Sequence, residues 1–307
     1  FQAGYLISRH LTAALTLNIV GESMAFLVSS IVNSILVANN SPWQMGVVIG
    51  PTLIIPVLVL SAIFLRKHRR AAVASSTSVL RNAFGVLAIP SYVLLIVSQA
   101  ITMFYSSTLS FWISSMVLLS YETHPGVFFG LTYPVVSSIV AVISFTGLLT
   151  GGVGVPLLTQ SLESGSGICG CISPTVRAIP IVYAVWSGLE TLTYITQMRT
   201  VAKSFVIFTA TLFVDGFATS GITLNNQQIT LNTVPSAQRA SAFALHRLLL
   251  SIGNMPSAQV IGAISDYFRG ESTDPASHLD ALRKTFTYTW FIPLISTGIC
   301  LMILRFY

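Results

Sequence analysis

The sequence predicts an all-α integral membrane protein, and three observations carry that reading. Of the 307 residues, 53% are hydrophobic, 8% are charged, and the mean hydropathy is +0.79. A soluble domain carries roughly 25% charged residues, so this chain lacks the groups needed to solvate a globule of its size. The same apolar excess excludes disorder. The apolar residues also run on for about 20 positions or more, the length of a spanning helix, whereas a membrane β-barrel shows ~10-residue alternating stretches.

Eight spanning segments follow along the chain, at about 10–37, 43–65, 86–120, 127–158, 175–198, 203–231, 238–266 and 285–306. Those longer than about 25 residues must tilt or project beyond the lipid. Gly and Pro occur within them, as at Gly50-Pro51, Pro134 and Gly216; membrane helices tolerate this because neighbouring helices satisfy the freed backbone groups. The chain opens at Phe1 with neither an initiator Met nor a charged leader region, which reads as an interior start and not as a signal peptide.

Charge sets the orientation. The formal net charge is +6, yet Arg66, Lys67, Arg69, Arg70 and Arg81 fall within one short segment, as in a cytoplasmic loop under the positive-inside rule. With that loop inside, nine Lys and Arg lie inside and five outside, and Arg247 sits within a segment. The Asn39-Asn40-Ser41 triplet falls outside, so close to the membrane that it reads as a plain turn. The expected organisation is two helices at 1–65, closing an N-terminal half, a basic cytoplasmic linker at 66–85, and a six-helix C-terminal half at 86–307.

Several short stretches, in order, resemble the Spinster family of major facilitator transporters. Trp43-Gln44 with Gly50-Pro51 resembles the start of that family's sixth helix. Arg81-Asn82 and Pro90-Ser91-Tyr92-Val93-Leu94 resemble the approach to its seventh, and Phe111-Trp112 resembles an aromatic segment within it. Phe129-Gly130-Leu131, followed by Gly147, Gly151, Gly152 and Gly154, resembles its Gly-rich eighth helix. Ser173-Pro174 with Arg177 and Pro180 resembles the loop before the ninth. Pro235, Arg239, Gly253-Asn254 and Gly262-Ala263-Ile264-Ser265-Asp266 resemble the tenth-to-eleventh loop and the eleventh helix. The chain departs from the family at Gln227, where an Asp is usual, and organic-anion transporters share the pattern around Pro235 and Arg239. The resemblance implies a major facilitator fold of which this chain resembles helices five to twelve of twelve, lacking the first four.

Candidate functional residues are the ionisable and polar groups within apolar segments, because each needs a cavity or a partner in hydrocarbon. Glu22 lies in the middle of the first segment and suits a reversible proton carrier; the alternative is a hydrogen bond to a neighbouring helix. Asp215, in Phe213-Val214-Asp215-Gly216, sits where the resemblance implies a cavity-lining tenth helix, as a substrate contact, a proton-coupling group or half of a structural ion pair. Asn225, Asn226, Gln227 and Gln228 are four consecutive amides; at about 100° per residue at least two turn inward, to bind a headgroup or to join helices. Arg247, beside His246, could pair with a phosphate or carboxylate or snorkel to the interface. Tyr105, Phe111 and Trp112 suit an amphipathic cavity wall, ordinary packing or an interfacial belt. Glu190 with Trp186 is expected to be structural, since the resemblance places its helix at the periphery. Asp266 and Arg239 read as gate or cap residues.

No cofactor or metal is implied. Cys169-Gly170-Cys171 lies in a loop without further ligands, and Cys300 reads as packing. Gly151-Gly152-Val153-Gly154 runs into Val155-Pro156 without a Lys, which argues against an ATP-driven pump. Protease motifs are absent as well, so the chain is expected not to be an enzyme. By resemblance, the expected function is secondary transport of amphiphilic lipids, sphingolipid or lysophospholipid in type, with proton coupling as in some members. The expected setting is a late endosomal, lysosomal or plasma membrane. A carrier of another solute, such as an organic anion or a sugar, and a truncated, transport-inactive membrane protein are the alternatives.

Overall fold

The computed structural model describes residues 84–164 and 178–306. Glu22, the basic stretch from 66 to 83 and the Cys169–Cys171 loop lie outside the described residues. The described chain is a helical bundle without strands. It contains α1 (Pro90–Thr123), α2 (Tyr133–Ser164), α3 (Ala178–Thr200), α4 (Phe205–Thr233), α5 (Arg239–Asn254), α6 (Ser257–Arg269), α7 (Pro275–Thr289) and α8 (Phe291–Phe306). Short 3₁₀ turns at Val86–Ala88, Pro125–Phe128 and Ser236–Gln238 join or precede them.

The eight described helices trace six traverses of the bundle, because α5 with α6 and α7 with α8 are each one traverse bent in the middle. Five of the crossings are long and apolar enough to span a bilayer: Pro90–Thr123, Tyr133–Thr159, Phe205–Thr233, Ser241–Arg269 and Pro275–Ile303. The sixth is α3, whose 23 residues include Glu190, Arg199 and a run of hydroxyls. At 1.5 Å per residue, the 34 residues of α1 reach well past the ~30 Å hydrocarbon thickness.

Proline sets both bends. A proline ring clashes with the carbonyl four residues earlier. Pro293 puts that clash at Thr289, the last residue of α7, and Pro256 separates α5 from α6. Ser257 Oγ donates to the Asn254 carbonyl at 2.7 Å, re-satisfying backbone freed by the second break. The traverse predicted at 285–306 begins ten residues earlier, at Pro275, where the Asp274 carboxylate accepts from the Ser277 amide at 3.2 Å as an N-cap. Hydropathy missed this first part because it carries Asp280, Arg283 and Lys284. Lys284 pairs with Asp280 at 2.8 Å, and Arg283 Nε donates to the Met198 carbonyl at 2.9 Å.

The bundle has two ends. One gathers the start of α1, the start of α5 and the end of α8, with Arg239 and Arg305. The other gathers Arg199, Lys203, Arg269, Asp274 and Lys284. Apolar side chains such as Leu192, Val206, Leu248 and Met302 are exposed around the outside, as expected where the solvent is lipid. Packing is closest between α2 and α4 and between α3 and α4. A Cβ built on Gly151 would fall 2.5 Å from the Phe217 carbonyl oxygen, and one on Gly216 would fall 2.8 Å from that of Ser144. Only glycine lets the two backbones meet, the small-residue mode of membrane helix packing. Ser220 Oγ fastens the crossing by donating to the Leu148 carbonyl at 2.7 Å.

Candidate functional site: a carboxyl pair beside an inner cavity

The α2–α4 crossing leaves a cavity of about 230 Å³ where α1, α2, α3 and α4 converge. Its walls are mixed. Ser106, Ser110 and Thr219 offer hydroxyls, whereas Met103, Leu109 and Leu148 are apolar. Asp215 is the one charged side chain on the wall among the described residues. It faces the cavity from α4, ten residues after Phe205 and so ~15 Å along the helix.

Behind Asp215 stands a second carboxyl. Glu190 of α3 is 1% exposed. Its Oε1 accepts from the Tyr194 hydroxyl at 2.6 Å and from the Thr219 hydroxyl at 3.2 Å, while Oε2 is buried without a partner. Thr219 follows Asp215 by one helical turn, so the Glu190 carboxyl docks on the α4 face that carries Asp215. Thr193 links the two residues. Its hydroxyl lies 3.0 Å from Asp215 Oδ1 and 2.7 Å from the Glu190 main-chain carbonyl. Among the described residues no Lys or Arg pairs with either carboxyl. Two ionised carboxylates this close in a low dielectric would repel strongly, so the arrangement calls for a proton or a cation.

A second polar layer lies nearer the α5 end of the bundle. Gln99 Oε1 of α1 accepts from Asn226 Nδ2 of α4 and from His246 Nε2 of α5. An amide oxygen only accepts, so with the Gln99 amide in this orientation the His246 proton sits on Nε2. His246 Nδ1 and Asn226 Oδ1 are buried without partners. Tyr92 packs edge-on to His246, and its hydroxyl donates to the Ala242 carbonyl at 2.7 Å.

The candidate residues separate accordingly. Asp215 lines the cavity. Asn225 is fully buried; its Oδ1 accepts from Thr159 at 3.4 Å and its Nδ2 donates to the Gly221 carbonyl at 2.9 Å. Asn226 joins Gln99, so these two amides serve helix-to-helix bonds, whereas the Oε1 atoms of Gln227 and Gln228 are buried without partners. Tyr105 is buried beside the cavity, not on its wall, and its hydroxyl donates to the Phe286 carbonyl at 3.0 Å. Trp112 packs against Gly262, and its Nε1 donates to the Ala258 carbonyl at 3.2 Å. Phe111 is exposed on α1, and Arg247 is exposed on α5. Asp266 forms a 2.8 Å pair with Arg269 at a helix end, and Arg239 Nε donates to the Val234 carbonyl at 3.2 Å. Cys300 meets Ser98 Oγ at 3.0 Å within a buried hydroxyl cluster.

Sequence reasoning set Glu190 aside because its helix was expected at the periphery. In the structure α3 packs against α4 and α8 and turns Glu190 inward. A signal for this was present: Glu190, Thr193, Tyr194 and Gln197 follow an i, i+3, i+4, i+7 spacing, a polar stripe along one face of a membrane helix.

A bundle with five helices long and apolar enough to cross a bilayer, around a partly polar cavity, has the build of a multi-pass membrane protein, and its fold is the major facilitator fold. Among the solved structures it resembles is the crystal structure of a bacterial homologue of the human lysosomal transporter Spinster, in an inward-facing and unoccupied conformation. The TM-score is 0.56 and the identity 14%; the match covers 76% of this chain and 53% of the other. The chain therefore spans about half the length of that protein. At this identity the likeness establishes the fold, and it falls on the same family as the resemblance read from the residues. No family model and no curated protein sequence matches the chain.

Proposed function

We propose that the chain belongs to a secondary transporter of amphiphilic lipids, of the sphingolipid or lysophospholipid type, working by alternating access with proton coupling. The observation that carries this reading is the cavity itself: one carboxyl, a set of hydroxyls and an aliphatic wall set among four helices. Its volume of about 230 Å³ is below the ~300–1,000 Å³ of a drug-sized ligand pocket. It suits a headgroup, with the acyl tail left among apolar side chains beyond it. The lipid class itself rests on the resemblance. A lysosomal or plasma-membrane setting is proposed on the same basis.

Asp215 would attract the cationic end of a zwitterionic headgroup. Toward an anionic cargo it would act only when protonated, as a coupling group. Transport of a zwitterionic and an anionic lysolipid by reconstituted wild-type protein and by Asp215→Asn separates the two roles. Loss of the zwitterion alone supports direct contact. Loss of both with a flattened pH profile supports coupling. Normal transport of both removes Asp215 from the mechanism, and transport of neither by the wild type points to another solute.

A further inference from the structure

We propose that Glu190 and Asp215 form a single proton-storage site, in which Asp215 exchanges a proton with the cavity and Glu190 holds it out of contact with the cavity. The proposal deepens the transport reading by naming the group that would carry the coupled proton, and it assigns Glu190 a role beyond packing.

The geometry carries it in three parts. First, access is unequal. Asp215 lines the cavity, whereas Glu190 lies behind it and is 1% exposed. Second, Glu190 has one occupied and one vacant oxygen. Oε1 already accepts from Tyr194 and Thr219, while Oε2 is buried and bare. A bare anionic oxygen in an apolar interior is costly; a proton on Oε2 makes the group neutral without disturbing the bonds at Oε1. Third, Thr193 can follow the proton. Its hydroxyl has one hydrogen and two acceptors in reach, Asp215 Oδ1 at 3.0 Å and the Glu190 carbonyl at 2.7 Å. It donates to Asp215 when that group is ionised and to the helix carbonyl when Asp215 is protonated.

The steps balance. A cavity hydronium gives its proton to the Asp215 carboxylate, leaving water and a neutral acid. The Asp215 O–H bond then breaks as its proton passes to a water taken up from the cavity, that water gives a proton to Glu190 Oε2, and Asp215 is again anionic. With one proton held, the pair carries one negative charge throughout.

The surroundings offer no competing charge. From α1 come Ser106 and Tyr105, the latter ring-to-ring with Tyr194 at 5.1 Å. The stretch of α2 from 133 to 160 has no Asp, Glu, Lys, Arg or His, and neither has α8 from 291 to 304, where Cys300 is the titratable group. Tyr183 and Tyr194 are the other titratable groups on α3 near Glu190. From α7, Arg283 reaches α3 only at Met198, eight residues and ~12 Å beyond Glu190.

Infrared difference spectroscopy of the carboxyl C=O stretch tests this on the reconstituted protein, titrated with pH and without cargo. The chain has nine Asp and Glu residues, so the pair is read from the differences between wild type and variants, and two of the wild-type carboxyl steps should belong to it. Because the two groups interact, Glu190→Gln and Asp215→Asn should each leave one step, displaced by about one pH unit or more from both wild-type steps. Thr193→Val, which keeps the side-chain shape, should displace the steps without removing either; it also provides a readout if Glu190→Gln fails to fold. The proposal is overturned if each carboxyl variant deletes one step and leaves the other in place, or if Glu190→Gln leaves the profile unchanged. It also fails if sodium at fixed pH moves the bands as protons do, which would mark a metal-cation site. Cargo plays no part, so failure here and failure of the lipid reading are separate results.

Discussion

Gly151 of α2 and Phe217 of α4 sit so close that a Cβ on the glycine would lie 2.5 Å from the phenylalanine carbonyl oxygen. Backbone cannot yield as a side-chain tip can, so Gly151→Ala must push the helices apart and open the cavity they close. The expected cost is about 1–3 kcal/mol, read as a lower unfolding temperature in detergent. Gly298→Ala provides the contrast: nothing lies within 4 Å of the Cβ it would add, and alanine is the better helix former, so this variant should be neutral or up to about 1 kcal/mol more stable. Equal effects at the two positions would contradict the packing.

Gln99 is the shared acceptor for Asn226 and His246. Gln99→Met keeps the volume but strands two buried donors. Side-chain hydrogen bonds between membrane helices are worth about 0.6–2 kcal/mol, so a loss of about 1–3 kcal/mol is expected for the pair. A double-mutant cycle of Gln99→Met with Asn226→Leu should show clear coupling; strict additivity would mean the bonds contribute nothing to stability.

For Asp215→Asn, a tenfold or greater fall in zwitterionic lysolipid transport is expected, equivalent to at least about 1.4 kcal/mol of lost interaction. Protein yield and unfolding temperature should stay near wild type, because asparagine can still accept from Thr193.

Topology can be checked by cysteine labelling in a Cys169→Ser, Cys171→Ser background. Thr273→Cys, between α6 and α7, should react with an impermeant reagent applied to intact cells. Ser236→Cys, before α5, and Ser76→Cys, in the basic stretch, should react only after permeabilisation. The reverse pattern would invert the orientation.

Glu22 lies in the middle of an apolar stretch of the sequence and is expected to act together with the Glu190–Asp215 pair, so Glu22→Gln should flatten the pH dependence of transport while leaving expression intact. An unchanged pH profile would return Glu22 to a structural role and leave coupling with the Glu190–Asp215 pair.

Five of the predicted spanning segments and their order were legible in the linear chain, and Asp215 stood out there as an ionisable group within one of them. Hydrophobic length is a local property, and any ionisable group in hydrocarbon stands out whatever surrounds it. Which way each helix faces was not legible. Lipid and protein interior are both apolar, so a spanning helix shows little contrast between its outer and inner faces. Tyr105, Phe111 and Trp112 look alike in sequence, yet the structure buries the first against Phe286, exposes the second and packs the third on Gly262. Glu190 was visible as a charge, but its meeting with Asp215 depends on the rotation of α3 against α4. The glycines were visible too, but only the crossing of α2 and α4 decided that they bring two backbones together and shape the cavity beside Asp215.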